Sequence, residues 1–339
     1  MSNKINNSKE DKSLNILITG GSSGIGFQAV LQLISLGHNI ILPCKNILRA
    51  NNVLTRIFNQ FQSNSSNKGN IYTLEMDLSD FKSIDIFCAE VKKRRLNIDV
   101  LILNAGLQYT GSKLSRRSVQ GIELTFAVNH LSHFYLTQNL LPFLNRNNNS
   151  KIIITSSEVH NPMSSGGRVG AKASLGNLSG LASFSEFEMI DGTLFNADKA
   201  YKDSKLCNIL FAKELSNRFK KKGLSIPVIA WAPGLVISRE SQGFFRYSRK
   251  YNILGQILFA FLARDILRIT TSNEKAGMLL SDLVCSSKYN KYGFNYYSNK
   301  LISPGKFVFE KANISEEAMS EGLSNNLWEL SKFIIDNKT

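Results

Sequence analysis

Tyr201 and Lys205 stand four residues apart in the run Lys199-Ala-Tyr-Lys-Asp-Ser-Lys205. On a helix this spacing puts both side chains on one face, one turn from each other. A free tyrosine gives up its proton near pH ~10. A neighbouring ammonium favours the phenolate and lowers that value. The pair therefore reads as a tuned proton donor. A donor needs a partner that holds the reacting oxygen and a co-reactant that supplies electrons, so the upstream chain carries the rest of the case.

Gly20-Gly21-Ser22-Ser23-Gly24-Ile25-Gly26 follows the apolar run Leu14 to Thr19 and precedes a helical pattern starting at Phe27. Glycines between a strand and a helix let a backbone approach a pyrophosphate at the helix N-terminus. A second strand, Asn39 to Pro43, ends in Cys44-Lys45-Asn46. At that place an acid would meet the 2′-hydroxyl of NAD and a cation the 2′-phosphate of NADP. No acid is present and Lys45 offers the cation, which points to NADP(H); a solvated surface lysine is the alternative.

The same alternation continues, and it is what must position these residues. Further strands are expected at Ile71 to Glu75 (leading to Asp77), Val100 to Leu103 (leading to Asn104-Ala105-Gly106), Ile152 to Ile154 (leading to Ser156-Ser157) and Val228 to Ala232 (leading to Pro233-Gly234). Helices are expected at Asp80 to Lys92, Phe126 to Leu144 with Asn129 on it, and Tyr201 to Lys222. Strands alternating with helices predict an α/β domain: one Rossmann-type doubly wound parallel sheet with helices on both faces. Ligands on such sheets lie outside the carboxyl ends of the strands, where each of these motifs falls.

Composition sets bounds. The chain has 339 residues, 43% of them hydrophobic and 20% charged, with a formal net charge of +15. Its basic residues are dispersed, and the two runs Lys92-Lys93-Arg94-Arg95 and Lys220-Lys221-Lys222 fall near expected helix ends, where cations complement the dipole. Nucleic acid is therefore not expected as a partner; an anionic cofactor, substrate or membrane surface accounts better for the excess. The polar stretch 1–13 lacks an apolar core and reads as a tail, and the longest uncharged apolar run, Tyr251 to Ala263, is too short to span a bilayer. Four scattered cysteines show no metal or disulfide spacing. These features fit a cytoplasmic protein, with contact at a membrane surface left open. His130 and His133 have no acidic or cysteine partner spaced to complete a metal site, so no metal is expected.

From about Leu14 to Tyr297 the chain resembles the short-chain dehydrogenase/reductase superfamily. The carriers, in order, are Thr19-Gly20-x-x-x-Gly24-Ile25-Gly26, Asp77, Asn104-Ala105-Gly106, Asn129, Ser157, Tyr201-x-x-x-Lys205 and Pro233-Gly234. The resemblance implies Tyr201 as general acid or base and Lys205 as the group that lowers its pKa and holds the nicotinamide ribose. It implies Ser157 (with Ser156 as the alternative) as partner of the reacting oxygen, and Asn129 as support for a proton-relay water. Gly20, Ser22, Ser23, Gly24, Ile25, Gly26, Lys45, Asp77, Asn104, Ala105, Gly106, Pro233, Gly234, Val236 and Ser238 would line the cofactor.

Within the superfamily the chain looks like the light-dependent protochlorophyllide oxidoreductases, with retinol-dehydrogenase-like reductases beside them. The carriers are Val128-Asn129-His130-Leu131-x-His133-Phe134, Gly176-Asn-Leu-Ser-Gly-Leu181, Met189-Ile-Asp-Gly192, Lys199 to Asn208 and Trp328-Glu-Leu-Ser331, together with a long insertion (158–199) between Ser157 and Tyr201. Two departures stand out: Leu235 where those enzymes carry a cysteine after the Pro-Gly, and Leu103-Asn-Ala-Gly106 in place of Cys-Asn-Ala-Ala. Cys207 matches the family, but its place on the helix turns it off the catalytic face and suits a packing role. The resemblance thus implies an NADPH-dependent reductase of a bulky hydrophobic substrate, a tetrapyrrole or a retinoid-like carbonyl. A non-catalytic NADP- or pigment-binding module is the competing class.

The segment 239–271 mixes aromatics and cations: Arg239, Phe244, Phe245, Arg246, Tyr247, Arg249, Lys250 and Tyr251, followed by apolar residues to Leu262. It reads as a helical lid, as a helix on an anionic membrane surface, or as both. Residues 315–337 read as a C-terminal helix capped at Ser315. The sequence leaves oligomeric state and reaction direction unspecified.

Overall fold

The computed structural model describes residues 13–61, 68–147, 149–182, 187–237, 244, 247–251 and 253–338. Ser238, and Arg239, Phe245 and Arg246 of the lid, lie outside them.

Eight strands form one sheet in the order β3-β2-β1-β4-β5-β6-β7-β8. They are β1 (Asn15–Ile18), β2 (Asn39–Cys44), β3 (Ile71–Glu75), β4 (Val100–Leu103), β5 (Lys151–Thr155), β6 (Val228–Ala232), β7 (Phe294–Ser303) and β8 (Lys306–Lys311). The first seven run parallel, and β8 returns antiparallel to β7. The six strands expected from the sequence all form. The closing hairpin of β7 and β8 does not show in the sequence as a run of buried apolar residues, because it is an edge: β8 alternates exposed and half-buried positions.

The helices are α1 (Gly24–Ser35), α2 (Ile47–Phe61), α3 (Phe81–Lys93), α4 (Leu124–Phe126), α5 (Ser132–Leu140), α6 (Ser179–Ala182), α7 (Ala197–Lys221), α8 (Ser248–Tyr251), α9 (Ile253–Phe261), α10 (Asn273–Cys285), α11 (Glu316–Met319) and α12 (Glu321–Lys338). One apolar layer joins the sheet to α3, α5, α7 and α12 through Leu101, Phe134, Leu206 and Phe211. The other joins it to α1, α2 and α10 through Ile16, Val30, Ile229 and Leu280. Strands buried on both faces explain why β4, β5 and β6 read as uninterrupted apolar runs.

Three expected helices differ from the structure. The single helix expected over Phe126 to Leu144 is a series: α4, a π turn at Ala127–Leu131, α5, and a 3-10 turn at Leu141–Phe143. Pro142, with no N–H to give, sits in the first turn of that last piece. The catalytic helix starts at Ala197 rather than Tyr201, because Asn196 caps it by accepting from the Lys199 N–H at 3.0 Å. It ends in a Schellman turn, where Leu224 N–H donates to the Phe219 carbonyl and Gly223 takes a φ of +67°. The C-terminal helix is two helices. Ser315 caps α11 as expected, but Ser320 is extended and caps α12 in turn through Leu323.

Trp328 on α12 pins that helix to the core. Its ring meets Phe134 edge-on at 4.8 Å and lies under the Arg218 guanidinium at 4.3 Å. Trp328→Ala should cost about 3–5 kcal/mol of folding stability, measured by denaturant unfolding.

Candidate active site

The glycine turn after β1 is built for close approach. Gly20 takes a φ of +69°, and a Cβ on Gly26 would lie 2.4 Å from the Gly20 carbonyl oxygen and 2.7 Å from Asn104 Nδ2. The turn therefore packs directly on the loop after β4. A hydroxyl that the sequence reading passed over holds the two together. Thr19 Oγ1 accepts from the backbone N–H groups of Asn104 (2.9 Å) and Ala105 (3.0 Å). It also contacts His133 Nε2 at 2.9 Å, while His133 Nδ1 lies 3.1 Å from the Asn129 carbonyl oxygen. A carbonyl only accepts, so Nδ1 carries the imidazole proton and Thr19 donates to Nε2. Burial holds His133 neutral, its pKa lowered to about 3.

Asn129 sits on the π turn, a distortion that recurs at functional sites. Its amide donates to the Leu107 carbonyl (2.9 Å) and Ser204 Oγ (3.0 Å) and accepts from the Leu107 N–H at 2.8 Å. Fully enclosed, it supports the wall of the cleft rather than lining it. Its amide fixes the loop carrying Gly106 and Leu107.

Tyr201, Lys205 and Ser157 do converge on one cavity of about 1360 Å³. Lys205 Nζ donates to the Thr155 carbonyl at 3.2 Å and lies 5.6 Å from the centre of the Tyr201 ring. Both candidate serines line the cavity; the Ser156 hydroxyl donates to the Lys205 carbonyl at 2.9 Å, whereas the Ser157 hydroxyl hydrogen-bonds Tyr201. His160 fixes the Ser157 backbone, its Nδ1–H donating to the Ser157 carbonyl at 2.7 Å, while its Nε2 accepts from the Ser315 N–H at 3.3 Å. Burial lowers the His160 pKa to about 4, so this bridge is between neutral groups.

The expected lowering of the Tyr201 pKa is not found. Burial raises it well above the ordinary phenol value; a hydrogen bond from Ser157 opposes the rise, and the Asp198 carboxylate adds to it. The same burial pushes Lys205 down to about 8. Burial disfavours the charged form of each, so Tyr201 is held in its protonated form. Phe244 from the lid closes over it, ring edge to face at 5.2 Å.

Lys45 lines the cavity as well. It pairs with Asp77 at 2.7 Å. Burial would raise the Asp77 pKa, but Lys45 and Ser79 together hold it below the usual carboxylate value. Arg49, one turn further into α2, has no ion pair among the described residues and also lines the cavity. A helical arginine five residues past the strand carries no local motif, which is why the sequence did not single it out. Of the other expected cofactor residues, Gly20, Ser22, Ser23, Gly24, Ile25, Gly26, Ala105, Gly106, Pro233, Gly234 and Val236 all line the cavity, as does Leu235. The Ser23 hydroxyl makes no helix cap, leaving it with the first N–H groups of α1.

The insertion before Tyr201 is tied to the start of α7 by two lysines. Lys199 bridges Asp191 (2.9 Å) and Asp203 (2.6 Å) and donates to the Ser174 carbonyl at 2.6 Å. Lys202 pairs with Asp198 at 3.0 Å and donates to the carbonyls of Val169 and Ala171. The lid is clasped by Arg116, another residue without a sequence motif: its guanidinium donates to Tyr251 Oη at 2.7 Å and stacks on Tyr247 at 4.8 Å. Glu158 faces the cavity with no partner for its carboxyl among the described residues, and burial raises its pKa. Cys207 is buried off the cleft, in the packing role its helical position suggests. No group of three or more histidine, cysteine or acidic residues among the described ones could hold a metal ion.

A parallel sheet with its crevice at the β1–β4 switch point, a glycine turn, and a serine, tyrosine and lysine around one cavity define a class. Residues 14–173 match the family model for short chain dehydrogenases. Together with the relatives below, this shows that the chain belongs to the short-chain dehydrogenase/reductase family, and it is an NADP-dependent oxidoreductase. It is similar to protochlorophyllide reductase B of Oryza sativa subsp. japonica, at 30% identity over 94% of this chain and 76% of that one. It is similar also to the protochlorophyllide reductase of Marchantia paleacea, at 31% identity over 97% and 69%. Among solved structures, an uncharacterised protein from Mycobacterium paratuberculosis shares the fold with a TM-score of 0.63 at 23% identity, covering 95% of this chain and 93% of that one. The L-sorbose reductase of Gluconobacter frateurii, solved with NADPH and L-sorbose, shares it with a TM-score of 0.60 at 16% identity, covering 85% and 95%.

The cleft fits the cofactor: glycines where any added Cβ would collide with backbone or Asn104, a first turn of α1 not capped by the Ser23 hydroxyl, and the cations Lys45 and Arg49 past the end of β2. Because the Lys205 ammonium is lost as pH rises through about 8, NADPH should bind the free enzyme progressively more weakly above that pH. Fluorescence titration on either side of it checks this, and Lys205→Met should flatten the dependence.

Proposed function

We propose that the protein is an NADPH-dependent reductase of a large, flat, apolar substrate, with protochlorophyllide as the first candidate. The observation that carries this is the size and lining of the cavity. At about 1360 Å³ it exceeds the ~300–1,000 Å³ of a pocket for one small ligand. The glycine turn accounts for one end. The other end, past Tyr201 and Ser157, is walled by Phe244, Tyr247, Phe259, Leu301 and Phe307.

In this reading NADPH supplies the hydride. Tyr201 supplies the proton, and its raised pKa keeps that proton in place until the substrate gains negative charge. Ser157 hydrogen-bonds the reacting group and orients the Tyr201 hydroxyl, while Phe244 keeps water off the pair. Asn129 acts through the Gly106–Leu107 loop. Arg49, with Lys45 beside Asp77, receives the 2′-phosphate. Tyr201→Phe should lower turnover by about 10²–10⁴-fold with NADPH binding retained; full turnover in that variant would remove Tyr201 as donor. Arg49→Ala should weaken NADPH binding by about tenfold, or ~1.4 kcal/mol, and leave NADH binding nearly unchanged.

A second reading rests on Leu235, which lines the cavity where the resemblance led us to expect a cysteine. An apolar side chain there fits a dark reduction of a retinoid-like carbonyl. One experiment separates the two: purified protein, NADPH and protochlorophyllide, with absorbance recorded in darkness and after a flash. Conversion only after the flash supports the first reading. Loss of NADPH absorbance in darkness with a long-chain aldehyde or ketone, and none with protochlorophyllide, supports the second. Tight NADPH binding with no hydride transfer to any of them would indicate a non-catalytic binding module.

A further inference from the structure

Ser157 must keep its hydroxyl on Tyr201, yet the chain around it gives little support. It caps a 3-10 turn of three residues, Glu158–His160, and its Oγ accepts the Val159 N–H at 3.4 Å. With that N–H donating inward, the hydroxyl proton is left for the Tyr201 oxygen. The turn is closed by two backbone hydrogen bonds, His160 N–H to the Ser157 carbonyl at 3.2 Å and Asn161 N–H to the Glu158 carbonyl at 3.0 Å. So short a 3-10 piece fixes its first residue weakly. The stronger hold comes from the His160 side chain, which is buried.

We propose that His160 is a positioning residue for Ser157, and that through its ring the C-terminal helix α11 sets where the serine stands. The imidazole has one consistent arrangement of protons. The Ser157 carbonyl only accepts, so Nδ1–H donates to it at 2.7 Å; the Ser315 N–H only donates, so Nε2 accepts it at 3.3 Å. A protonated ring would set Nε2–H against the Ser315 N–H, and burial keeps the ring neutral. Tyr296 of β7 lies edge-on to it at 5.2 Å.

The helix is a fixed reference because it is tied to two parts of the site. Glu317 Oε1 accepts the Leu175 N–H of the insertion at 2.7 Å. Lys213, on α7 two turns beyond Lys205, donates to the Ala318 carbonyl at 3.3 Å. Ser315 Oγ caps the helix by accepting the Ala318 N–H at 3.3 Å, and Ala318 is itself buried in the core. The helix α7 therefore places Tyr201 directly and Ser157 at second hand, through Lys213, α11 and His160. The consequence for rate rests on the role given to Ser157 above; the chain of contacts does not.

Two pairs of variants of the full chain test this. Ser315→Ala loses the helix cap and keeps the N–H, whereas Ser315→Pro loses both, at a φ of −63° that proline adopts without strain. His160→Ala loses both ring contacts, whereas His160→Asn keeps an N–H donor close to where Nδ1 stands. With whichever of protochlorophyllide or the long-chain aldehyde the parent reduces, His160→Ala and Ser315→Pro should lower kcat by roughly ten- to a hundredfold, with NADPH affinity unchanged. Ser315→Ala should lose stability but little rate, and His160→Asn should run several-fold faster than His160→Ala. Hydrogen–deuterium exchange over residues 155–160 needs no substrate: it should speed up in His160→Ala and Ser315→Pro and stay at the parent level in Ser315→Ala. Unchanged exchange there in Ser315→Pro overturns the link to α11. Parent-like kcat in His160→Ala, or rates that merely follow stability across the four variants, overturn the positioning role. If the parent reduces neither substrate, the functional reading fails and the exchange result alone decides this proposal.

Discussion

The cleft depends on one hydroxyl. Thr19 at the end of β1 accepts two backbone N–H groups from the loop after β4 and gives its own proton to His133. Through His133 the constraint reaches the Asn129 carbonyl, and through the Asn129 amide it reaches Leu107 and Ser204 on the catalytic helix. Every member is satisfied and, with His133 neutral, the chain has one consistent set of donor directions. A buried network of that kind fixes geometry because any partly broken alternative leaves a polar group without a partner. The glycine turn, the π turn and α7 are thereby held in one register, with no charge spent on doing it.

Burial is the second shaping force, and it acts on the reacting groups themselves. It raises Tyr201, lowers Lys205 and neutralises His133 and His160, each in the direction that disfavours charge. Near the end of β2, Lys45 is already paired with Asp77, which leaves the half-buried Arg49 as the unpaired cation there.

How much of this the sequence disclosed follows from what is local. The six parallel strands were legible because residues such as Ile152 to Ile154 are buried on both faces, and the glycine turn because Gly20 and Gly26 meet backbone and amide atoms that no side chain could share. Tyr201, Lys205 and Ser157 were legible as motif positions, and all three line one cavity. Arg49 was not, because it carries no local motif, and neither were Arg116, His160 or the part played by the Thr19 hydroxyl, because each acts through a contact distant in sequence: Arg116 on Tyr251, His160 on Ser315, Thr19 on Asn104. The direction of the Tyr201 shift was missed for the same reason. Spacing on a helix shows which groups are neighbours but not how much water surrounds them.

Lys199 and Lys202 give the long insertion its character. Their anchors are carbonyls and carboxylates split between the insertion and the first turn of the catalytic helix. The stretch of the insertion that lines the cavity and the catalytic helix are consequently one mechanical unit, joined through Asp191, Ser174 and Ala171. A shift of that wall is thereby carried to the helix that does the chemistry.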